Sequence, residues 1–348
     1  MAKSELCQGQ PFEPALGFST WPPDLTLPAI DRAYQFIADH GDIILYHFDN
    51  GIPWEEALNA APYPKHVTDD WADRLQRTDD NMPIILAITP MNSARDGLAP
   101  YWSNRGDNRR LPRKWRRKDF NDPDVITAYS HYALEMVAQF DPAYLAIGIE
   151  SNLLVSFAPE KWDAYLELNA AVYVAVKQAH PDLPVFSSVQ YEHLRGIDDD
   201  AKPNLALQAP AVTQLLNHSD LLGLSTYRYG FFHPNPPNDG YFDIALSFGK
   251  PVAITESGAL SQGIVAFGTA LPSDENLQLE FISMLLEQAQ EHNFPFVINW
   301  VNVDFDGTLD KLPSNLRDLA TIWVYTGLET FDGRAKPVLE VWQSCLEN

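Results

Sequence analysis

Cysteine is nearly missing from this chain: its 348 residues hold only two, Cys7 and Cys345. Two thiols so far apart exclude the CxxC pairs of zinc and redox sites. They read as two unrelated thiols unless the fold joins the ends: a closed barrel would let them approach, a bridge needs Cα atoms within about 7 Å, and it would imply an oxidising compartment. Positive charge is scarce too, with 24 Lys and Arg against 47 Asp and Glu and a formal net charge of −23. So acidic a chain repels nucleic acid and anionic membrane, local basic patches aside. No apolar run approaches the roughly 20 residues of a membrane span. The start, "MAKSELCQGQPFEP", shows no apolar signal-peptide core. A removed signal would leave the same picture, so a secreted or periplasmic location stays open and the compartment unassigned. The nine histidines are scattered, without HxH or HExxH spacing, so neither a catalytic metal nor a cofactor is expected.

What is present is a regular alternation. Short apolar runs rich in β-branched residues recur: "ALGFSTW" (15–21), "DIILYHF" (42–48), "PIILAIT" (83–89), "YLAIGIE" (144–150), "PVFSSVQ" (184–190), "LLGLSTY" (221–227), "PVAITE" (251–256) and "PFVINWV" (295–301). Between them lie helical stretches such as "AIDRAYQFIADHG", "DPDVITAYSHYALEMVAQFD", "EKWDAYLELNAAVYVAVKQAH" and "ENLQLEFISMLLEQAQEHN". In the third, Trp162, Tyr165, Leu168, Val172 and Ala175 share one helical face. Eight strand–helix units predict an α/β protein, a single (β/α)8 TIM barrel. A doubly wound sheet is the alternative, but no GxGxxG follows an early strand. No linker-like tract divides the chain, so residues 1–348 read as one domain, with a long loop at 90–121 after the third strand.

In such barrels the active site lies beyond the C-terminal ends of the strands. Those ends carry Ser19 and Trp21; His47 and Asp49; Thr89 and Asn92; Glu150 and Asn152; Gln190 and Glu192; Tyr227; Glu256; Asn299 and Trp300. Two glutamates thus close otherwise apolar strands, the fourth and the seventh. A single strand-end carboxylate is ordinary; a pair facing one mouth is what glycoside hydrolysis requires, one protonated and one ionised. Tyr227 is placed to donate to Glu256 and keep it charged.

These segments resemble a clan A glycoside hydrolase. "ITESG" resembles the clan's strand-7 nucleophile segment, "GLSTY" its strand-6 tyrosine segment, and "INW" the strand-8 segment whose tryptophan floors the −1 subsite. "IGIES" stands where the clan has Asn-Glu, but with Ile149 in place of the asparagine that binds the sugar 2-hydroxyl. The resemblance covers roughly residues 15–345 and assigns no family within the clan. It implies Glu150 as acid/base, Glu256 as nucleophile with Tyr227 beside it, carboxyls about 5–5.5 Å apart, and a cis peptide between Trp300 and Val301. Trp21, His47, Asp49, Asn92, Asn152, Gln190, Trp102 and Trp300 are candidate substrate contacts, Asn152 or Asn92 replacing the missing asparagine. Trp54, Trp102 and Trp115, with Tyr229, Phe231 and Phe232, suit sugar stacking as a set, although each alone reads as loop packing.

The expected function is a retaining hydrolase of β-linked oligo- or polysaccharide, its partner a carbohydrate. An inactive glycan-binding barrel and a lyase or aldolase are the alternatives. "NRGDNRRLPRKWRRK" (104–118) holds eight of the 24 positive residues. It reads either as a loop pinned by pairing with the acidic surface or as a recognition segment for an anionic glycan.

Overall fold

The computed structural model describes residue 7 and residues 11–196, 205–231 and 240–347. Eight strands among them close a parallel barrel: β1 (Ala15–Ser19), β2 (Ile43–Phe48), β3 (Ile84–Ile88), β4 (Tyr144–Ala146), β5 (Val185–Gln190), β6 (Leu222–Thr226), β7 (Val252–Ser257) and β8 (Phe296–Asn299). Each strand neighbours the next in sequence, and β8 returns to β1. Every residue of β3, β5 and β7 is buried, as parallel strands covered by helices require. The surrounding helices begin and end on chemistry legible in the sequence. In Pro123–Phe140, Asp122 caps the first turn through Asp124 N–H, proline occupies the first position, and Asp141 ends it in the left-handed region. Asp274 caps Glu275–Glu291 in the same way.

Close contacts group the chain into two units, Met1–Leu45 with Ser225–Asn348, and Tyr46–Leu224. In the first, Gly17 lets β1 and β2 meet: a Cβ there would lie 2.0 Å from the Ile43 carbonyl oxygen. Trp342, on the helix Pro337–Leu346, packs against Phe18 and donates its indole N–H to the His40 carbonyl. Cys7 and Cys345 are joined as a disulfide with Cα atoms 5.0 Å apart, which overturns the expectation of two unrelated thiols.

In the second unit, the helix Trp162–Ala179 buries Trp162, Tyr165, Leu168 and Val172 as its spacing predicts, with Val176 rather than Ala175 continuing the face. The long loop at 90–121 contains an antiparallel hairpin, Tyr101–Ser103 with Gly106–Arg109, and a single turn at Trp115–Arg117. The fourth strand differs most from its expected span. It stops at Ala146, four residues before Glu150. The chain still follows β5 through Ile147 N–H to Phe186 O (2.8 Å) and Ser188 N–H to Gly148 O (2.9 Å). At Glu150 the backbone then turns into the left-handed region, φ 49°. Among the described residues no helix is long and apolar enough to cross a membrane.

Candidate active site

Glu150 is presented by a tight turn rather than by a strand end. Gly148 is the residue that permits it, because a Cβ there would lie 2.2 Å from the Tyr165 hydroxyl and 2.6 Å from Ser151 Oγ. The Glu150 N–H donates to Ser188 Oγ (3.0 Å) and Ser151 N–H to the Ser188 carbonyl (2.8 Å), fixing the turn to β5. Beneath it the Tyr165 phenol, pushed up to about 12 by burial, stays a neutral hydrogen-bonding group for Ser151 Oγ at 2.7 Å. The Glu150 carboxylate is partly open to solvent and lies 3.4 Å from Nη2 of Arg95. Arg95 is itself buried, in the left-handed region, and donates from Nη1 to the Asn92 carbonyl. Reading the sequence missed it; its one signal is being the first basic residue after β3.

The asparagines expected to replace the missing one are taken. Asn152 is fully buried; its amide donates to Gln190 O and Gln208 Oε1, and its oxygen accepts Gln190 N–H. Gln190 caps the following helix through His193 N–H and donates to Glu192. Asn92 bonds Asp96 through both ends of its amide, closing the turn that carries Arg95. Asn152 and Gln190, both buried, therefore hold neighbouring backbone in place, because buried polar groups must find partners nearby; Asn92 is only half-buried.

The aromatics after strands 2 and 3 are corrected in the same direction. Trp54, Trp102 and Trp115 are 0% exposed, their indole N–H groups donating to Ala99 O, His66 Nδ1 and Glu55 Oε1. Trp102 thus offers no face for stacking. Tyr229 is buried and donates to Ile322 O; Phe232 lies outside the described residues. His47 is half-buried on β2 and Asp49 is exposed just beyond it. No group of three or more His, Cys, Asp or Glu able to hold a metal occurs among the described residues.

In the other unit, Glu256 lies within β7, 7% exposed, and the Tyr227 hydroxyl donates to its Oε2 at 3.4 Å. Tyr227 is steadied edge-on by Tyr229 and Trp323. Ser257 is no free nucleophile, since its hydroxyl donates to Ile298 O. Trp300, 9% exposed, donates N–H to Ser257 O and accepts from Ser19 Oγ. Trp21 is half-buried against Phe305. The Trp300–Val301 peptide is trans, like every peptide among the described residues, contrary to the expected cis bond. Both carbonyls around it are occupied in the trans form, Trp300 O by Ser19 and Val301 O by the Asn299 amide (2.7 Å).

No protein-family model matches this sequence, and no curated protein does. Solved structures do match. An exo-β-1,4-mannosidase, Op5Man5, from Opitutaceae bacterium strain TAV5 shares 15% identity at a TM-score of 0.64, over 97% of this chain and 59% of that one. GH5_18 from Streptomyces cattleya, in complex with GlcNAc, shares 16% at 0.61, over 97% and 80%. Xylanase 10B from Thermotoga maritima shares 12% at 0.59, over 100% and 98%. This chain thus spans little more than half of the mannosidase. These structural neighbours are glycoside hydrolases; at these identities the likeness establishes the barrel fold alone.

Proposed function

We propose that this chain is a retaining hydrolase of β-linked oligo- or polysaccharide, with Glu256 as nucleophile and Glu150 as acid/base. The observation that carries the reading is the position of the two carboxylates, each beyond or at the C-terminal end of a parallel barrel strand, with a phenol donating to the strand-7 member. In such barrels those ends form the reactive mouth. Glu256 attacks the anomeric carbon while Glu150 gives its proton to the departing glycosidic oxygen, leaving a glycosyl ester. Glu150, now ionised, takes a proton from water, whose oxygen displaces Glu256 and restores both groups. The Tyr227 O–H donates to Glu256 and orients its carboxylate for attack. Among the candidate substrate contacts, Trp300, Trp21, His47 and Asp49 keep some exposure for sugar.

A second reading, a glycan-binding barrel without turnover, draws on Ile149 and on the occupied amides of Asn152 and Asn92. One experiment separates the two. Wild type, Glu256→Ala and Glu150→Ala are assayed on β-linked aryl glycosides and oligosaccharides, with the released anomer followed by NMR. Glu256→Ala should fall to background. Glu150→Ala should lose about 10²–10⁴-fold on poor leaving groups and little on activated ones, which need no proton. Glycan retention by a wild type that turns over nothing would establish the second reading, and a product of inverted configuration would overturn the retaining mechanism.

A further inference from the structure

The loop at 90–121 holds nine of the chain's 24 positive residues, and the structure separates those that pin it from those that do not. Lys114 pairs with Glu55 at 2.5 Å, and Lys118 reaches both Asp122 and Asp124 at 2.8 Å. Both ammonium groups lie over the ring of Trp115, at 5.5 and 5.8 Å from its centre. Arg109 donates to the Arg105 carbonyl and Arg116 to the Leu111 carbonyl (2.7 Å). Arg105, Arg110, Arg113 and Arg117 are exposed, and their guanidinium groups make no hydrogen bond or ion pair with any described residue. Pairing with the acidic surface therefore accounts for the lysines and leaves four guanidinium groups over: Arg105 in the hairpin turn, and Arg110, Arg113 and Arg117 together on the segment that follows the hairpin.

The support beneath them is rigid. Trp115 is fully buried against Trp54, 5.1 Å between ring centres. The hairpin is bonded to the segment following β2 through Ile52 N–H to Pro100 O, Trp102 N–H to Ile52 O and Asn108 N–H to Asn50 O. Both that segment and the loop itself leave C-terminal strand ends, and the start of the loop reaches Glu150 through Arg95. The three arginines thus stand on the same end of their unit as the proposed acid/base.

We propose that Arg110, Arg113 and Arg117 form a binding site for an anionic glycan, a polysaccharide bearing carboxylate or sulfate groups. A guanidinium pairs with either group through two parallel N–H bonds, a geometry an ammonium cannot supply. The long-range field of a −23 chain opposes polyanions in general, so binding has to come from close, bidentate contact. The choice of a glycan rests on the proposed function; the site itself does not depend on turnover.

The test is retention in native gels cast with polygalacturonate, dextran sulfate or neutral dextran, with duplex DNA as a further polyanion. Wild type should be retarded by at least one charged glycan and not by neutral dextran, and the carboxylated and sulfated gels tell the two anion sources apart. Retardation should vanish at about 1 M salt, where the screening length is about 3 Å. R110Q/R113Q/R117Q should weaken it at least about tenfold while keeping the wild-type unfolding temperature. R110K/R113K/R117K, which keeps the charge, should recover only part. Undiminished retention in the Gln variant, full recovery in the Lys variant, equal retention in neutral dextran, or equal binding of DNA would each overturn the proposal. If the Gln variant unfolds, the Lys variant alone decides. A chain that binds polyuronate and hydrolyses nothing keeps this site and loses the catalytic reading; hydrolysis without retention does the reverse.

Discussion

A single missing side chain sets the geometry around Glu150. Gly148 faces the Tyr165 hydroxyl, Ser151 Oγ and Ser187 Oγ, at 2.2, 2.6 and 3.0 Å from where a Cβ would stand. Gly148→Ala must push this buried cluster apart. It is expected to cost about 1–3 kcal/mol in stability, the usual penalty for overfilling a packed interior, seen as a lower urea midpoint. Because the shift reaches Glu150, turnover of substrates with poor leaving groups should fall further than turnover of activated ones. A midpoint and turnover equal to wild type would show that the close approach does not matter. The glutamate itself was legible, as a carboxylate ending an apolar run. The left-handed turn was not, since periodicity carries no information about φ. Nor could Asn152 and Gln190 be separated from ligand-binding amides, because only the fold reveals that these buried groups already bond their neighbours.

At the scale of elements, the segment after β8 is tied down by a buried ion pair. Lys336, 2% exposed, bonds Asp304 (2.7 Å), Ser261 Oγ (2.7 Å) and Gly327 O (2.7 Å). Removing one partner strands the other charge: Lys336→Met should cost about 3–5 kcal/mol, and Lys336→Met with Asp304→Asn much less, by denaturant unfolding. Burial pushes the Asp304 carboxyl up to about 6 from 3.8. The folded chain therefore holds this proton more tightly than the unfolded one, so its contribution to stability is full below about pH 4 and declines as pH rises to about 6. Asp304→Asn should remove that slope from an unfolding series over the same range. Helices were readable here because one buried face imposes a 3.6-residue period, and strands because burial on both faces leaves short unbroken apolar runs. The exception, β4, was read four residues too long because its apolar residues continue past the point where the backbone bends.

For the whole molecule, the eight-unit count led directly to a closed barrel, and barrel closure is what lets two cysteines 338 positions apart approach and bond. Such bridges form and persist in oxidising surroundings. Reduction, or Cys7→Ser, should lower stability by about 2–4 kcal/mol, measured as a fall in unfolding temperature; an unchanged temperature would mean that the bridge is not formed in solution. The same bond makes the covalent chain a ring from Cys7 to Cys345. Protease cleavage at the exposed Arg110 or Arg113 then opens the ring without dividing it. The nicked protein should run as one species on a denaturing gel and part into two only when thiol is added.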